Sequence, residues 1–481
     1  MYNPVFNQSI LIDSNVVDRY RDVVMDLSSL SEKACPQALR PMLDRLKGSP
    51  IGRRIVGNSF WSVAGSGTAK AFVLLALLLT ARLLGKELNG QFGFIRATAL
   101  AFVAFSSFGI GIAMTKHIAE LFQTDRERTA RIIGLGFGFS FISAFLVATL
   151  FWFAAPWLCE ERLHAPHLLV DMRIGAVLLF FITFVSAQVG VMMGFQDFRG
   201  LAMTNFITGI AAVPLYAGGT YFGGLRGALL GLLVATFLNV TANSMFIFRN
   251  MKRYDIRYSF RGVYREIPLL WSYGLPTVIS TVLLSLSTWF CQLTLASQPD
   301  GSGESGLYFA AMIFYPVILF LPEQVAAVLL PTLCEMNAQG DAKRYRQTVL
   351  YFIFFGLVST LTLALPLALF SKQVMGLCGS EYETGAMTLV VICATAVVYM
   401  IGHTANIVVV SRGKMWFMVT YFVVGVASMM LVSLMLINSG RGALGLALGM
   451  LAGFSARLLL VVPYVIVHVA TVTNPKHERN A

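Results

Sequence analysis

Runs of twenty or more apolar residues follow one another from Asn58 to His468, separated only by short polar or charged segments. About 20 residues of α-helix, at ~1.5 Å each, cross the ~30 Å hydrocarbon core of a bilayer. Such runs have no soluble use in this number, because only 12% of the chain is charged against roughly a quarter in soluble domains. Barrel strands would instead show ~10-residue alternating segments. The chain therefore reads as an all-α polytopic membrane protein.

Twelve spans are expected: Asn58 to Ala81, Gln91 to Thr115, Ile132 to Leu158, Val170 to Met193, Leu201 to Phe222, Gly224 to Phe248, Pro268 to Ser297, Gly306 to Leu333, Thr348 to Phe370, Met387 to Val410, Met415 to Asn438 and Gly442 to His468. Cation placement provides an independent check. Of the 36 Lys and Arg, 26 fall in the segments on one side of this map, and only Arg82, Lys86, Arg162, Arg226, Lys372 and Arg441 on the other. That asymmetry follows the positive-inside rule and puts both termini in the cytoplasm. The net charge of +12 is then mostly topology, and without a basic domain of soluble size a nucleic-acid role is excluded.

Residues 1–55 form a cytoplasmic extension. Ser14 is placed to cap a helix carrying Val16, Tyr20, Val23, Leu27 and Leu30 at helical spacing. Residues 1–50 hold six acids and six Lys or Arg, so attraction to anionic lipid is weak and packing on the protein's own cytoplasmic face is expected. No cleavable signal peptide precedes the first span. Residues 471–481 are a cytoplasmic tail. The six cysteines show no CxxC spacing and no metal or redox motif; a disulfide between Cys159 and Cys378, in corresponding outer loops, is conceivable.

An internal repeat organises the rest. Gly90-Gln91-Phe92-Gly93 opens the second span, and Gly306-Leu307-Tyr308-Phe309 opens the eighth, 216 residues on. Arg226-Gly227-Ala228-Leu229 returns as Arg441-Gly442-Ala443-Leu444. Residues 56–248 and 268–470 thus form two six-helix bundles, joined by a basic linker at 249–267. An even number of spans per copy gives both copies one orientation, so the pseudo-twofold axis runs along the membrane normal. Proteins built this way hold cargo between the halves and expose it to each side in turn.

Four cations fall inside spans, where a charge costs at least ~2.5 kcal/mol. Lys70 stands at mid-depth, on one face with Ser59, Ser62 and Ser66. The stripe fits a face turned to water or substrate, or a Ser-rich packing seam with one ion pair. The first six spans hold no mid-depth acid, which favours a cavity with Lys70 unpaired. Arg96 and Arg173 lie near the outer ends of their spans, where each either joins that cavity or snorkels to the headgroups, the better reading for Arg173. In the second half, Glu323 and Arg457 come near mid-depth as a potential pair. His403 shares a helical face with Thr395, Tyr399 and Asn406. Glu323 and His403 suit a proton relay or a structural network equally. Pro316 and Pro322 should bend the eighth span. No Walker loop, HExxH or GxSxG occurs, so no enzyme activity and no cofactor is expected.

The opening Asn58-Ser59-Phe60-Trp61, the run Leu83-Leu84-Gly85-Lys86-Glu87-Leu88-Asn89-Gly90-Gln91-Phe92-Gly93, and Gly109-Ile110-Gly111-Ile112-Ala113 leading to Ala119-Glu120 resemble the polysaccharide transporter branch of the multidrug/oligosaccharidyl-lipid/polysaccharide (MOP) exporter superfamily. The resemblance spans residues ~55 to 470 and implies a V of two bundles around a central cavity. It implies a bacterial inner-membrane flippase for an undecaprenyl-pyrophosphate-linked oligosaccharide in exopolysaccharide or lipopolysaccharide O-antigen synthesis. Partners implied are the lipid-linked substrate, membrane lipid, a polysaccharide polymerase and glycosyltransferases. A cationic cavity of Lys70 and Arg96, with Ser62, Ser66 and Arg173, suits an anionic head group. Two rivals remain within the superfamily: lipid-linked peptidoglycan precursor flippases, which commonly carry two further helices, and cation-coupled multidrug exporters, which typically carry acids in the first bundle.

Overall fold

The computed structural model describes residues 50–256, 275–324 and 342–470, with positions 326, 329, 333 and 336 between the last two. The extension up to residue 49, the linker from 257 and the tail lie outside the described residues. The chain divides into two compact units, Met1–Trp61 and Ser62–Ala481; the second holds everything discussed below. Its first half is residues 62–256 and its second half 275–470.

Every described element is helical. The first half comprises α1 (Pro50–Ser107), α2 (Ile110–Leu121), α3 (Arg126–Trp157), α4 (Leu169–Gly194) and α5 (Phe198–Arg253). The second comprises α6 (Leu275–Ala296), α7 (Gly301–Met312), α8 (Tyr315–Ile318), α9 (Ala342–Leu369), α10 (Ser371–Gly376), α11 (Ala386–Ser411), α12 (Met415–Leu436) and α13 (Gly442–Ala470). Among the described residues eight helical stretches are long and apolar enough to cross a membrane.

The longest of these are hairpins. As one rod the 56 residues of α5 would reach about 84 Å, far beyond any bilayer. The helix turns at Gly224 (φ 55°, ψ −136°), a conformation that a side chain resists. Its two arms then run antiparallel: Asp197 accepts from Asn250, and Thr208 accepts from Asn239. Nearer the turn Gly231 abuts the Leu215 carbonyl and Gly227 that of Gly219, so closely that no Cβ fits. The same logic joins α12 to α13 through Gly440 and Gly442, both at positive φ, with Gly449 against Ser433 and Gly453 against Met429. In α1 the turn is Gly85 (φ 76°). The eighth expected span is interrupted instead: α7 stops at Met312, and α8 carries Pro316 in its first turn. Each proline removes an N–H from the helix ladder, which accounts for the bend.

These turns place Gly85, Gly224 and Gly440 at one end of the molecule. Arg126, Arg128, Arg131, Arg199, Lys252, Arg253 and Lys414 gather at the other, the basic end. The sixth expected span ends at Phe248, and α5 continues helically through Arg253 into the first residues of the expected basic linker at 249–267.

The two ends pack differently. At the end opposite the basic one the halves share their cores: Leu293 belongs to the first-half cluster, with Trp289, Phe309 and Ile313 against it, and Ala81 belongs to the second-half cluster, with Leu74 and Leu78 against it. At the basic end each half has a core of its own. The cluster around Ile110, Met114, Ile118 and Val191 contains only first-half residues, and that around Leu333, Tyr345, Val408 and Tyr421 only second-half residues, among those described.

The candidate cavity and the seam between the halves

The repeat motifs meet where the cores are shared. A Cβ on Gly90 would lie 1.9 Å from the Ser302 carbonyl oxygen, and one on Gly306 would lie 2.0 Å from that of Lys86. Gly90 corresponds to Gly306 and Lys86 to Ser302 at the repeat offset, so the contact is reciprocal, as a local twofold requires. Gly93 and Phe309 correspond to each other and are in direct contact: the Phe309 ring fills the space a Gly93 side chain would need. Polar contacts then fasten the seam. Tyr382 donates to the Ala81 carbonyl at 2.9 Å, the Lys86 amide to Glu381 at 2.9 Å, and Trp289 Nε1 to Thr98 at 3.0 Å.

Toward the basic end the seam gives way to a cavity of about 410 Å³, lined by residues 107–113, Thr115, Lys116, His117, Ser186, Gly190, Met193, Val278 and Thr281 among others. That size falls within the range of small-molecule sites. One wall is built by glycines: Gly190 meets the backbone of Gly111, and Thr115 donates to both the Gly111 and Gly190 carbonyls. Small residues let α2 and α4 approach backbone to backbone, which explains the Gly109-Ile110-Gly111 spacing. Val278 and Thr281 on α6 close the cavity from the second half.

Lys70 is not unpaired. Its Nζ donates to Glu323 Oε2 at 3.3 Å and to the Pro316 carbonyl at 3.4 Å, and stands 5.1 Å from the centre of the Phe320 ring. The sequence reading looked for an acid in the first six spans; the partner comes from the other half, across the seam. Both side chains remain accessible, 32% for Lys70 and 39% for Glu323. Lys70 lines neither cavity described here. On its other side Glu323 borders a void of only about 10 Å³, shared with Tyr399 and His403, roughly one water in size.

The expected Glu323–Arg457 pair is corrected accordingly. Arg457 stacks on Phe422, its guanidinium carbon 3.6 Å from the ring centre, with Phe454 and Tyr421 alongside. Aromatic faces attract the cation, so among the described residues the arginine is held by rings and not by a carboxylate. His403 stacks on Tyr399 at 5.5 Å between ring centres, and Asn406 accepts a short hydrogen bond from Tyr421. Arg173 leaves the cavity set: its guanidinium lies over Trp152, a ring exposed on the outer surface of α3. Arg96 is half-buried beside Tyr216 of α5 and lines neither cavity. The side chains of Ser62 and Ser66 lie outside the described residues.

Two residues of the cavity escaped the sequence reading. Lys116 counts among the 26 cations of the topology map and His117 enters only through the repeat motif at the end of the second span, yet both line the cavity. The signal lay in the repeat: Lys116-His117 faces Pro331-Thr332 in the second copy, a charged departure from symmetry. No disulfide joins Cys159 and Cys378; both thiols are free and buried.

Solved structures share this fold. An inward-facing multidrug resistance MATE family transporter of the MOP superfamily superposes with a TM-score of 0.68 at 14% identity, covering 85% of this chain and 98% of that one. A MOP superfamily transporter from Pyrococcus furiosus gives 0.60 at 15% identity, covering 88% and 96%. Among proteins of known role, the EPS I polysaccharide export inner membrane protein EpsE of Ralstonia nicotianae is 24% identical over 83% of this chain and 91% of its own length. Stage V sporulation protein B of Bacillus subtilis is 22% identical over 57% of this chain and 56% of its own. The model of the polysaccharide biosynthesis protein family matches residues 55–337, more than half the chain, and it shows that this protein belongs to that family.

Proposed function

We propose that the protein is a flippase that carries a lipid-linked oligosaccharide from the basic, cytoplasmic leaflet to the opposite leaflet of a bacterial inner membrane by alternating access. The observation that carries this reading is the contrast between the two ends: shared cores and a glycine seam at one, separate cores and a cavity at the other. A carrier loaded from the basic side is built in that way. The excess of cations at the open end makes it cytoplasmic.

On this reading the chain crosses the membrane twelve times, in two six-helix bundles related by the twofold that the Gly90–Ser302 and Gly306–Lys86 contacts obey. Eight apolar stretches, three of them turned at glycines, and one interrupted span add up to that number. Lys116, which lines the cavity, and Lys70, which lies outside it and is held by Glu323 until that carboxylate is displaced, are the cations available to a pyrophosphate-linked head group. The export role of the EpsE relative supports a polysaccharide precursor as cargo.

Reconstitution into vesicles tests the proposal. A polyprenyl-pyrophosphate oligosaccharide loaded in the lumenal leaflet should become accessible to an external glycosidase faster than in protein-free vesicles. Equal rates, together with uptake or extrusion of a lipophilic cation, would replace this reading with the multidrug one.

A further inference from the structure

The Lys70–Glu323 pair has the features of an exchangeable contact rather than of a structural strut. Structural pairs in low dielectric are short, fully hydrogen-bonded and hidden from water. Charge-assisted N–H···O bonds run at ~2.7–2.9 Å, whereas here the nitrogen sits 3.3 Å from a single carboxylate oxygen and both groups are about a third exposed. The ammonium's second bond goes to the Pro316 carbonyl at 3.4 Å, in the short helix α8 where the eighth span is interrupted. Glu323 Oε1 takes no bond among the described residues, so the carboxylate holds Lys70 through one arm.

The pair also lies at a particular place. It joins α1 of the first half to the segment after α8 in the second, just where the shared core ends. Gly67 packs there against the Phe320 ring, 3.1 Å from where its Cβ would stand, so the two helices are near contact and the charges face each other across the seam.

Resting on the reading of an anionic cargo given above, we infer that Glu323 is a built-in counter-ion occupying the place of the cargo's phosphate on Lys70. A pyrophosphate carries more charge than a carboxylate and offers several oxygens to one ammonium, so it displaces Glu323 when it arrives. The freed carboxylate then no longer ties the halves through this contact. Once the cargo leaves, Glu323 returns, and the empty carrier does not hold an uncompensated cation at mid-depth. Glu323 is thereby a selectivity residue: it sets a threshold that a singly charged, weakly binding anion does not pass.

Binding of undecaprenyl pyrophosphate, and in a parallel arm of inorganic pyrophosphate, to the purified full chain in nanodiscs tests this through a thermodynamic cycle. Glu323→Gln should tighten binding by about two- to fivefold, the worth of an accessible ion pair. Lys70→Ala should weaken it. The decisive variant is Lys70→Ala combined with Glu323→Gln, which should bind like Lys70→Ala alone, because a carboxylate without the lysine has nothing to compete for. If Glu323→Gln tightens binding equally in both backgrounds, its effect is general electrostatics and the counter-ion role is overturned; if it leaves wild-type binding unchanged or weaker, the role is likewise overturned. Unfolding temperatures of all four proteins separate these outcomes from misfolding. Binding of the lipid form but not of free pyrophosphate still supports the exchange, with the lipid as its source. Should the unaltered protein bind neither anion, the cargo reading itself fails and this inference fails with it.

Discussion

Adding one methyl group to the glycine seam should open it. In Gly90→Ala the new Cβ would stand 1.9 Å from the Ser302 carbonyl oxygen, and in Gly306→Ala 2.0 Å from that of Lys86. Real Cβ contacts do not fall below 3.0 Å, and both obstacles are backbone, which cannot rotate aside. The halves must therefore part by about 1 Å, an overpacking cost of about 1–3 kcal/mol. That cost falls only on the state in which the seam is shut, so the population of the shut form should drop by about 5- to 150-fold relative to the open one. A cysteine at Thr98, buried beneath Trp289 in the seam, reports the change through labelling by a membrane-impermeant maleimide from the opposite side. Because the two contacts are related by the repeat, both variants should raise labelling to a similar degree. Gly138→Ala is the control, since nothing lies within 4 Å of its Cβ and a helical alanine is if anything stabilising. Labelling that stays at the wild-type rate in either variant, or rises in one and not the other, would refute the account of the seam.

Further consequences concern the supports around the site. Arg226 Nε meets Asp171 at 3.2 Å, and the aspartate side chain is only 7% exposed, so Arg226→Ala should cost roughly 1–3 kcal/mol and lower the unfolding temperature. Its repeat counterpart Arg441 has no acid partner among the described residues and should tolerate Ala. The Glu304 carboxylate accepts from the Ala443 amide at 2.6 Å, capping the start of α13, and Glu304→Gln should cost about 0.5–2 kcal/mol in the same assay. Arg457→Lys keeps the charge but loses the planar stack on Phe422; a drop in thermal stability is expected and an unchanged value would contradict the stacking role. Burial raises the Cys378 thiol to about 11, so at pH 7.5 the nucleophilic thiolate is scarce. Maleimide should leave Cys378 unmodified until the protein unfolds, and mass spectrometry of the native protein decides this.

Much of the architecture was legible because it follows from one-dimensional constraints. A long apolar run must cross lipid, and glycines at its ends announce the turn, as Gly224 and Gly440 do. The repeat was legible too, since Gly90 and Gly306 open equivalent spans in the two copies, but that these two glycines form the seam came only from the structure. What could not be read was contact across the halves. Lys70 and Glu323 lie 253 residues apart, on helices whose separate patterns carry no information about each other, and a search for partners within one bundle had to miss the pair. Arg457 shows the complementary failure: a half-buried cation suggests an acid, yet among the described residues three aromatic rings serve it instead.

The duplication also explains why one pair of charges can matter to a nearly apolar interface. The twofold arrangement proposed above would offer two equivalent arms, the first span against the eighth and the second against the seventh. At the repeat offset Lys70 corresponds to Leu286 and Glu323 to Ser107, so only one arm carries the ion pair. The other arm is where the cavity opens, between Ser107, Phe108 and Gly109 on one side and Val278 and Thr281 on the other. Charge bridges the halves on one side of the axis and space separates them on the other. An anion arriving through the open arm therefore meets a scaffold in which the Lys70–Glu323 pair across the seam is one it can replace, and the symmetry that shuts the opposite end is broken where cargo has to be held.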